Sequence, residues 1–560
     1  MPVEVKDPEL IRLMNDMSSK AMQAMMNIGM ENATVGRLVK MKAEKNGDKV
    51  FLFFEDEQVT YRQMDERSDR VANALSQMGV KKGDKVAIML PNCPEYYYCW
   101  WGVSKTGAIF VPINVSMRGE GLTYVLNHSE ANTIFLSHEY IDPYRFIAGD
   151  LTGIKRLILE TRYTLKDFNM PSDAVPLEEL LTAAPTPPDV EISPMDTMEI
   201  IYSSGTTGPP KGVQQQHMGS VFAGVLPSMM GLGEGDIMYT CLPLFHGNAQ
   251  MLTTMPALLG DLQVAMSRRF SASRFWDEIR KFNATEFNYI GGIPTILYNQ
   301  DSKPNDADNP VRYAFGAACP KDVWEPFEKR FGLEIVEGYG AVEAGAVTIN
   351  LPLESGWKRK VPSMGVPFSA INEIRVVDDN EQDCPPNVTG EMFGRFTMQA
   401  NRSVEYYKME EETAEVTRGG WYHTGDLVYY DEDGYLFFVD RKKDYIRRRG
   451  ENISSWEIES VVNKQPSVLE CAAFGVKSDL GEDEVKVSIQ LHPGMKLEPE
   501  ELMAWCESRM GYYMIPRYVE IVDELPKTET HRIEKYKLKA EGITDKTWDR
   551  EKAGYKIKRS

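Results

Sequence analysis

Between residues 60 and 160 short apolar runs alternate with helical periodicity. Lys85 to Leu90 (KVAIML), Ala108 to Ile113 (AIFVPI), Thr133 to Leu136 and Arg156 to Leu159 are rich in β-branched residues, whereas Tyr61 to Met78 repeats its apolar positions at helical spacing. Apolar strands separated by helices build parallel sheets covered on both faces, so the expected class is α/β. The longest apolar region, Tyr96 to Val115, is interrupted by Lys105, Gly107 and Pro112. It reads as helix, turn and buried strand, and no membrane span is expected.

The texture changes twice further on. From Asn372 to Tyr407 and again from Trp421 to Val439 short strands alternate with turn signals (VVDDNEQDCPPN, YYDEDGY), as in a small β-rich subdomain. A basic stretch, Arg441 to Arg449 (RKKDYIRRR), then precedes a fresh α+β pattern: a helix from Ser454, strands near Leu469 to Val476 and Glu484 to Leu491, and a helix from Glu498. Roughly 115 residues suffice for a separate domain. The expected organisation is therefore a large N-terminal domain of layered α/β subdomains over 1–440, with its β-rich part at about 360–440. A short connector at 441–444 and a smaller α+β domain over 445–560 complete it.

Acidic residues exceed basic ones by 83 − 63 = 20 in a chain of 560 residues. That balance argues against broad electrostatic binding to nucleic acid or to anionic membranes, so any phosphate site must be local. Hydrophobic residues make up 42% and charged ones 26%, the proportions of a globular chain and not of a disordered one. The seven cysteines show no CxxC or zinc-ligand spacing, and read as free thiols in a reducing, cytoplasmic setting. The start, MPVEVKDPELIRLMNDMSSKAMQAMMNIGM, mixes charges with methionines and reads as an amphipathic helix, not a signal peptide.

The chemistry is concentrated in Ile200 to Val213, IIYSSGTTGPPKGV. An apolar strand leads into Ser203, Ser204, Gly205, Thr206, Thr207 and Gly208, followed by Lys211. Four hydroxyls, glycines that expose backbone N–H groups and one cation within nine residues form an anion cradle. A plain surface turn would account for a shorter cluster, not for this one. The spacing does not fit GxxxxGK[ST], since Gly212 follows Lys211, which disfavours a Walker-type NTPase.

This segment resembles the signature of the adenylate-forming superfamily, which includes acyl-CoA synthetases, adenylation domains of peptide synthetases and beetle luciferases. Further pieces resemble that family in its order. They are PLFHGN at Pro243 to Asn248, FGAACP at Phe315 to Pro320, EGYGAVEAG at Glu337 to Gly345 and WYHTGD at Trp421 to Asp426. DRKKDYIRRRGENIS at Asp440 to Ser454 and LPKTETHRIEK at Leu525 to Lys535 complete the set. The resemblance runs from about residue 35 to about residue 540, and in texture it is nearest to carnitine/crotonobetaine-CoA ligase-like enzymes.

The resemblance implies a two-step reaction. A carboxylate attacks the α-phosphate of ATP to give an acyl-adenylate and diphosphate, and the thiol of CoA then displaces AMP. It places Ser203 to Lys211 on the outer phosphates and gives Glu343 the Mg²⁺ between them, a role suited to a hard oxygen ligand. Gly316, Ala317 and Ala318 would flank the adenine and Tyr339 would stack on it, with Glu337, Gly338, Gly340 and Val342 completing the nucleotide motif. Asp426 would hold the ribose hydroxyls and Arg441 the ribose or a phosphate. His246 would stand at the junction of acyl pocket and thiol tunnel, and His423 is read as structural.

Lys443 matches the hinge about which the small domain turns, Gly450 lines the thiol tunnel, and Arg448 and Arg449 would meet CoA phosphates. The acyl pocket would draw on His246, Asn248, Met251, Gly292, Ile293, Phe315, Ala341 and Ala346. Two positions depart from the family pattern. Val342 stands where a threonine hydroxyl usually contacts the α-phosphate, a loss on the order of 1 kcal/mol. Arg532 stands in the place of the catalytic lysine, keeping the charge on a bulkier planar head; Lys527 and Lys535 lie near enough to substitute.

The function expected from this resemblance is an AMP-forming acyl-CoA ligase acting on a small carboxylic acid with ATP, Mg²⁺ and CoA. Two alternatives stay open: transfer to a carrier protein, and a catalytically weak nucleotide-binding homologue. No nucleic-acid partner is expected, and a homo-oligomer is left open.

Overall fold

The computed structural model describes residues 2–163, 169–203, 209–368, 372–396, 404–441, 445–448, 451–478, 482–526, 533 and 535–557. Two seven-stranded sheets dominate it. In the first, Ala174–Pro176, Arg156–Glu160, Ala131–Ser137, Lys85–Met89, Ile109–Pro112 and Thr197–Ser203 run parallel, and Lys211–Gln216 closes one edge antiparallel. The second repeats this plan. Glu334–Glu337, Tyr313–Ala317, Glu286–Ile290, Ile237–Thr240, Gln263–Met266 and Val50–Phe54 are parallel, and Glu57–Thr60 turns back along the edge. The strands expected from the apolar runs are all present.

A helix, Pro94–Lys105, joins the two sheets, and all 12 of its residues are buried. Trp100 stacks on Phe110 of the first sheet, while Tyr97 and Trp101 meet Phe51 of the second. A helix buried on every side, its few polar residues included, belongs between layers and not on a surface. It packs closely on Tyr61–Gln77: a Cβ placed on Gly102 would stand 2.7 Å from a methyl of Val71, so only glycine fits. Lys105 is buried as well, and its ammonium lies 2.6 Å from Asp65 and 2.5 Å from Asp69.

The β-rich region is a four-stranded antiparallel sheet of Asn372–Val377, Gly390–Phe396, Tyr422–Tyr430 and Leu436–Arg441. Beyond it a hairpin, Tyr445–Arg448 with Glu451–Ser454, leads into the sheet of Val468–Lys477, Asp483–Leu491, Tyr518–Val522 and Trp548–Asp549. This last unit has its own core, including Ile446, Ile453, Val487 and Met503. The Met-rich start forms the amphipathic helix Pro8–Ile28, capped by Asp7, and lies against the helix Leu226–Met230. All seven cysteines are buried and unpaired. Among the described residues no helix is long and apolar enough to cross a membrane.

One sequence expectation is corrected here. Arg448 does not reach outward towards CoA phosphates: it is 1% exposed, with Nε 2.7 Å from the Glu484 carboxylate and a terminal N–H donating to the carbonyls of Tyr513 and Ile515, each at 2.9 Å. A guanidinium so enclosed ties the hairpin to the small domain's own sheet. Removing one partner of a buried ion pair strands the other charge, so Arg448→Ala is expected to destabilise this domain by about 3–5 kcal/mol. Thermal unfolding followed by a probe confined to the C-terminal domain would show the loss, and an unchanged midpoint would contradict it.

Candidate functional site

The site is assembled where the parallel strands of the two sheets end. Thr197–Ser203 and Lys211–Gln216 form a hairpin in which Ser203 and Lys211 face each other across the ladder, so both ends of the phosphate loop are fixed. Ser204, Gly205, Thr206, Thr207 and Gly208, between them, lie outside the described residues. The Ser203 hydroxyl donates to Glu343 Oε1 at 3.2 Å, joining the loop to the tyrosine motif across 140 residues of sequence. The Lys211 ammonium stands 4.8 Å over the Tyr406 ring, a cation–π contact that keeps it beside the loop.

The second sheet contributes the nucleotide side. Gly316, next to last in its strand, lies against Tyr289: an added Cβ would come within 2.3 Å of the Tyr289 carbonyl oxygen. Ala318 adopts φ +69°, a left-handed conformation that strains a residue bearing a Cβ. What holds this turn is Glu337, 4% exposed, whose Oε1 accepts from the Tyr289 hydroxyl at 2.6 Å and from the Cys319 N–H at 2.5 Å. Burial pushes its pKa up to about 7. Glu337, expected at the nucleotide, is thus a support beneath the turn of Gly316, Ala317 and Ala318.

After Glu337 the backbone passes so close to Thr348 that a Cβ on Gly338 would lie 2.9 Å from its carbonyl oxygen. Gly340 and Ala341 then pair with Ala346 and Gly345 in a small ladder with Val342 and Glu343 at its tip. Gln215 donates to the Val342 carbonyl, tying this tip to the strand after the phosphate loop. The Tyr339 hydroxyl donates to Asp426 Oδ2 at 2.5 Å, so the expected base-stacking and ribose-binding residues meet. Asp426 is 3% exposed and is the ladder partner of Arg441 in the four-stranded sheet. His423 nearby is enclosed, with its ring 3.8 Å from that of Phe393 and Nε2 3.1 Å from the Arg418 carbonyl.

The acid side opens at His246. Its Nε2 lies 3.1 Å from Oε2 of Glu451, which comes from the small domain's hairpin, and Asn114 donates to the same oxygen at 3.3 Å. Burial works against charging the imidazole, but the Glu451 carboxylate outweighs it and the pKa is raised. A second contact joins the domains at Gly292, whose N–H donates to Glu482 Oε1 at 2.6 Å. Neighbouring Gly291 has φ +55°, and a Cβ there would fall 2.1 Å from the same oxygen. Ile293 and Phe315 are buried behind, and Asn248 and Met251 are half-buried in the segment after His246.

Lys443, Arg449, Gly450 and Arg532 lie outside the described residues. Glu451, Glu482, Asn114 and Tyr513 take part in docking the small domain, and sequence reasoning did not single them out. Only Glu451 stood inside a quoted motif; the others carry no local signal, because their roles arise from a contact between distant segments.

Ser203, Lys211 and Glu343 are thus gathered at the strand ends, while Tyr339 meets Asp426. Residues 39–398 match the AMP-binding enzyme family and residues 457–532 match the AMP-binding enzyme C-terminal domain, and the chain belongs to this family. Crotonobetaine/carnitine–CoA ligase of Salmonella typhi is 34% identical over 507 residues, covering 88% of this chain and 96% of that protein. Among solved structures, o-succinylbenzoate CoA synthetase from Bacillus subtilis superposes with a TM-score of 0.77 at 24% identity, covering 93% of this chain and 99% of the other. A benzoate CoA ligase from Burkholderia xenovorans gives 0.66 at 22% identity, with coverages of 90% and 99%. Both share the fold.

The domain contact should respond to pH. The ordinary imidazole pKa is 6.5 and that of His246 is raised, so the His246–Glu451 attraction is complete below the ordinary value and is lost as pH rises through the raised one. Fluorescence energy transfer between labels on the two domains should therefore be fully present below the ordinary imidazole value and fall as pH rises above it, and Glu451→Gln should flatten the profile. An unaltered profile in that variant would assign the transition elsewhere.

Proposed function

We propose that this protein is an AMP-forming acyl-CoA ligase that joins a small carboxylic acid to the thiol of CoA at the expense of ATP. The observation that carries the reading is the junction of Ser203, Lys211 and Glu343 on one side with Tyr339 and Asp426 on the other. A phosphate cradle alone would suit many nucleotide binders. A cradle coupled to a carboxylate at the reacting phosphate suits displacement of diphosphate. CoA as acceptor is supported by the relative named a crotonobetaine/carnitine–CoA ligase, to which most of both chains align.

Among the described residues no group of three or more histidine, cysteine, aspartate or glutamate residues could hold a metal ion. Glu343, with the Ser203 hydroxyl 3.2 Å away, instead offers the sparse, hard-oxygen environment of a Mg²⁺ held chiefly by phosphates. Bound there, Mg²⁺ would neutralise charge on the departing diphosphate. Lys211 and the loop from Ser203 hold the outer phosphates, Tyr339 and Asp426 fix the nucleoside, and the carboxylate enters between His246 and Val342. Arg532 takes the place of the family lysine in bridging carboxylate and α-phosphate.

Lys443 serves as the hinge, and the contact of Glu451 with His246 supports reading this arrangement as the one that admits the thiol after adenylation. Arg449 and Gly450 remain assigned to CoA. The setting is cytoplasmic, consistent with seven unpaired, buried thiols.

AMP and diphosphate release from ATP and Mg²⁺ with a panel of carboxylic acids, each with and without CoA, tests the reading. Acid-dependent AMP that needs CoA for turnover is expected; AMP formation indifferent to every acid would overturn it. Glu343→Gln should lower kcat/KM by roughly 10²-fold or more. Arg532→Ala should slow adenylation while sparing thioester formation from preformed acyl-adenylate, and equal effects on both steps would remove Arg532 from its assigned role.

A further inference from the structure

The far end of the phosphate loop is secured by a part of the chain remote from it in sequence. Lys211–Gln216 is the antiparallel edge of the first sheet, and residues 405–407 run alongside it. The Gln214 N–H donates to the Glu405 carbonyl at 3.0 Å, the Tyr407 N–H donates to the Gly212 carbonyl at 2.7 Å, and Val213 and Tyr406 are antiparallel partners between them. The Tyr406 N–H donates to the Thr413 hydroxyl at 3.0 Å, which ties this segment to the helix Glu410–Val416. Gly212 is also closed in by Tyr202, since an added Cβ would stand 3.1 Å from its ring. The Tyr202 hydroxyl in turn lies 2.8 Å from Nδ1 of His128. The backbone carrying Lys211 is thus fixed, and its long side chain remains to be ordered.

Tyr406 provides that order. It is 6% exposed and belongs to an apolar cluster with Val213, Ala344, Val347 and Tyr422. Tyr339, Ala341 and Val342 of the tyrosine motif pack against the same cluster, so the ring is backed from behind. The Lys211 ammonium stands over it, 4.8 Å from the centroid. An aromatic face attracts a cation without adding a full negative charge, so it does not oppose the arrival of a phosphate as a carboxylate would. A lysine side chain is among the costliest to immobilise, and holding it in place beforehand lowers the cost of binding.

We propose that Tyr406 is a positioning residue for Lys211, holding its ammonium where the outer phosphates of ATP and the departing diphosphate are bound. This deepens the acyl-CoA ligase reading and rests on it, because that reading puts these phosphates at the loop from Ser203 to Lys211. Tyr406 touches no phosphate itself. Its effect passes through the ammonium, and so falls on ligands that carry outer phosphates and not on AMP.

The test measures binding of ATP with Mg²⁺, of diphosphate with Mg²⁺ and of AMP to the full-length protein by titration calorimetry, with no acid present. Tyr406→Leu keeps an apolar side chain in the cluster and removes the ring face; it should weaken ATP and diphosphate by roughly five- to thirtyfold while AMP stays within about twofold. Tyr406→Phe keeps the face and should bind all three within about twofold of the original. In a Lys211→Gln background, Tyr406→Leu should add less than about twofold, because the partner of the ring is already gone. Tyr406→Met gives the same comparison if Tyr406→Leu does not fold.

Equal weakening of ATP and AMP would make Tyr406 a packing residue only and overturn the inference. So would a Tyr406→Phe variant as impaired as Tyr406→Leu, a Tyr406→Leu effect undiminished in the Lys211→Gln background, or unchanged ATP binding in Tyr406→Leu; each of these leaves the ligase standing. If Lys211→Gln alone alters neither ATP nor diphosphate binding, the phosphate cradle on which the ligase reading depends fails, and the inference with it.

Discussion

A helix without a solvent-facing side sets the terms for the rest of the chain. Pro94–Lys105 must be covered all round, and both parallel sheets together with the helix Tyr61–Gln77 supply that cover, so it joins the two sheets. Its two charged residues are admitted because each is met: Lys105 by Asp65 and Asp69 of the neighbouring helix, and Glu95 by Arg162 at 2.8 Å. Once the sheets are so placed, the phosphate loop of one and the tyrosine motif of the other are brought together. The Ser203–Glu343 contact is thus a consequence of core packing as much as of local loop geometry.

The nucleotide side is rigid for a different reason. Its turn passes through a glycine where no side chain fits and an alanine in a left-handed conformation, so the backbone needs an anchor to stay there. Glu337 supplies it by collecting a tyrosine hydroxyl and a backbone N–H on one oxygen. A carboxyl with a pKa near 7 can meet these donors without carrying a full buried charge at neutral pH. On the acid side Asn92 and Gln250 hold the backbone around Leu242 and Leu244, and the small domain adds Glu451 and Glu482.

Much of this was legible in the sequence. The strands at residues 85, 109, 131 and 156, the buried helix after Cys93, the antiparallel region before residue 440 and the fresh domain after it follow from period and turn chemistry. Linear motifs also named residues that the structure brings into contact, Ser203 with Glu343 and Tyr339 with Asp426. They failed where burial decides the role. Glu337 and Arg448 sit within motifs that suggest ligand contact, yet both side chains are enclosed by partners outside those motifs, Tyr289 and Cys319 for the one and Glu484, Tyr513 and Ile515 for the other, which no local pattern reveals. Tyr406 is the converse: nothing in EYYKM marks it, and only the fold places it against Lys211.

The backbone at Gly291 and Gly292 meets a carboxylate of the other domain where a methyl group would already collide. Such a contact ties the evolutionary freedom of three positions into one. A side chain acquired at 291 would have to displace the Glu482 carboxylate, and one at 292 would press against it, so the choice at either position depends on what stands at 482. In related sequences these positions should drift as a unit, leaving a correlated signature of this contact between the two domains.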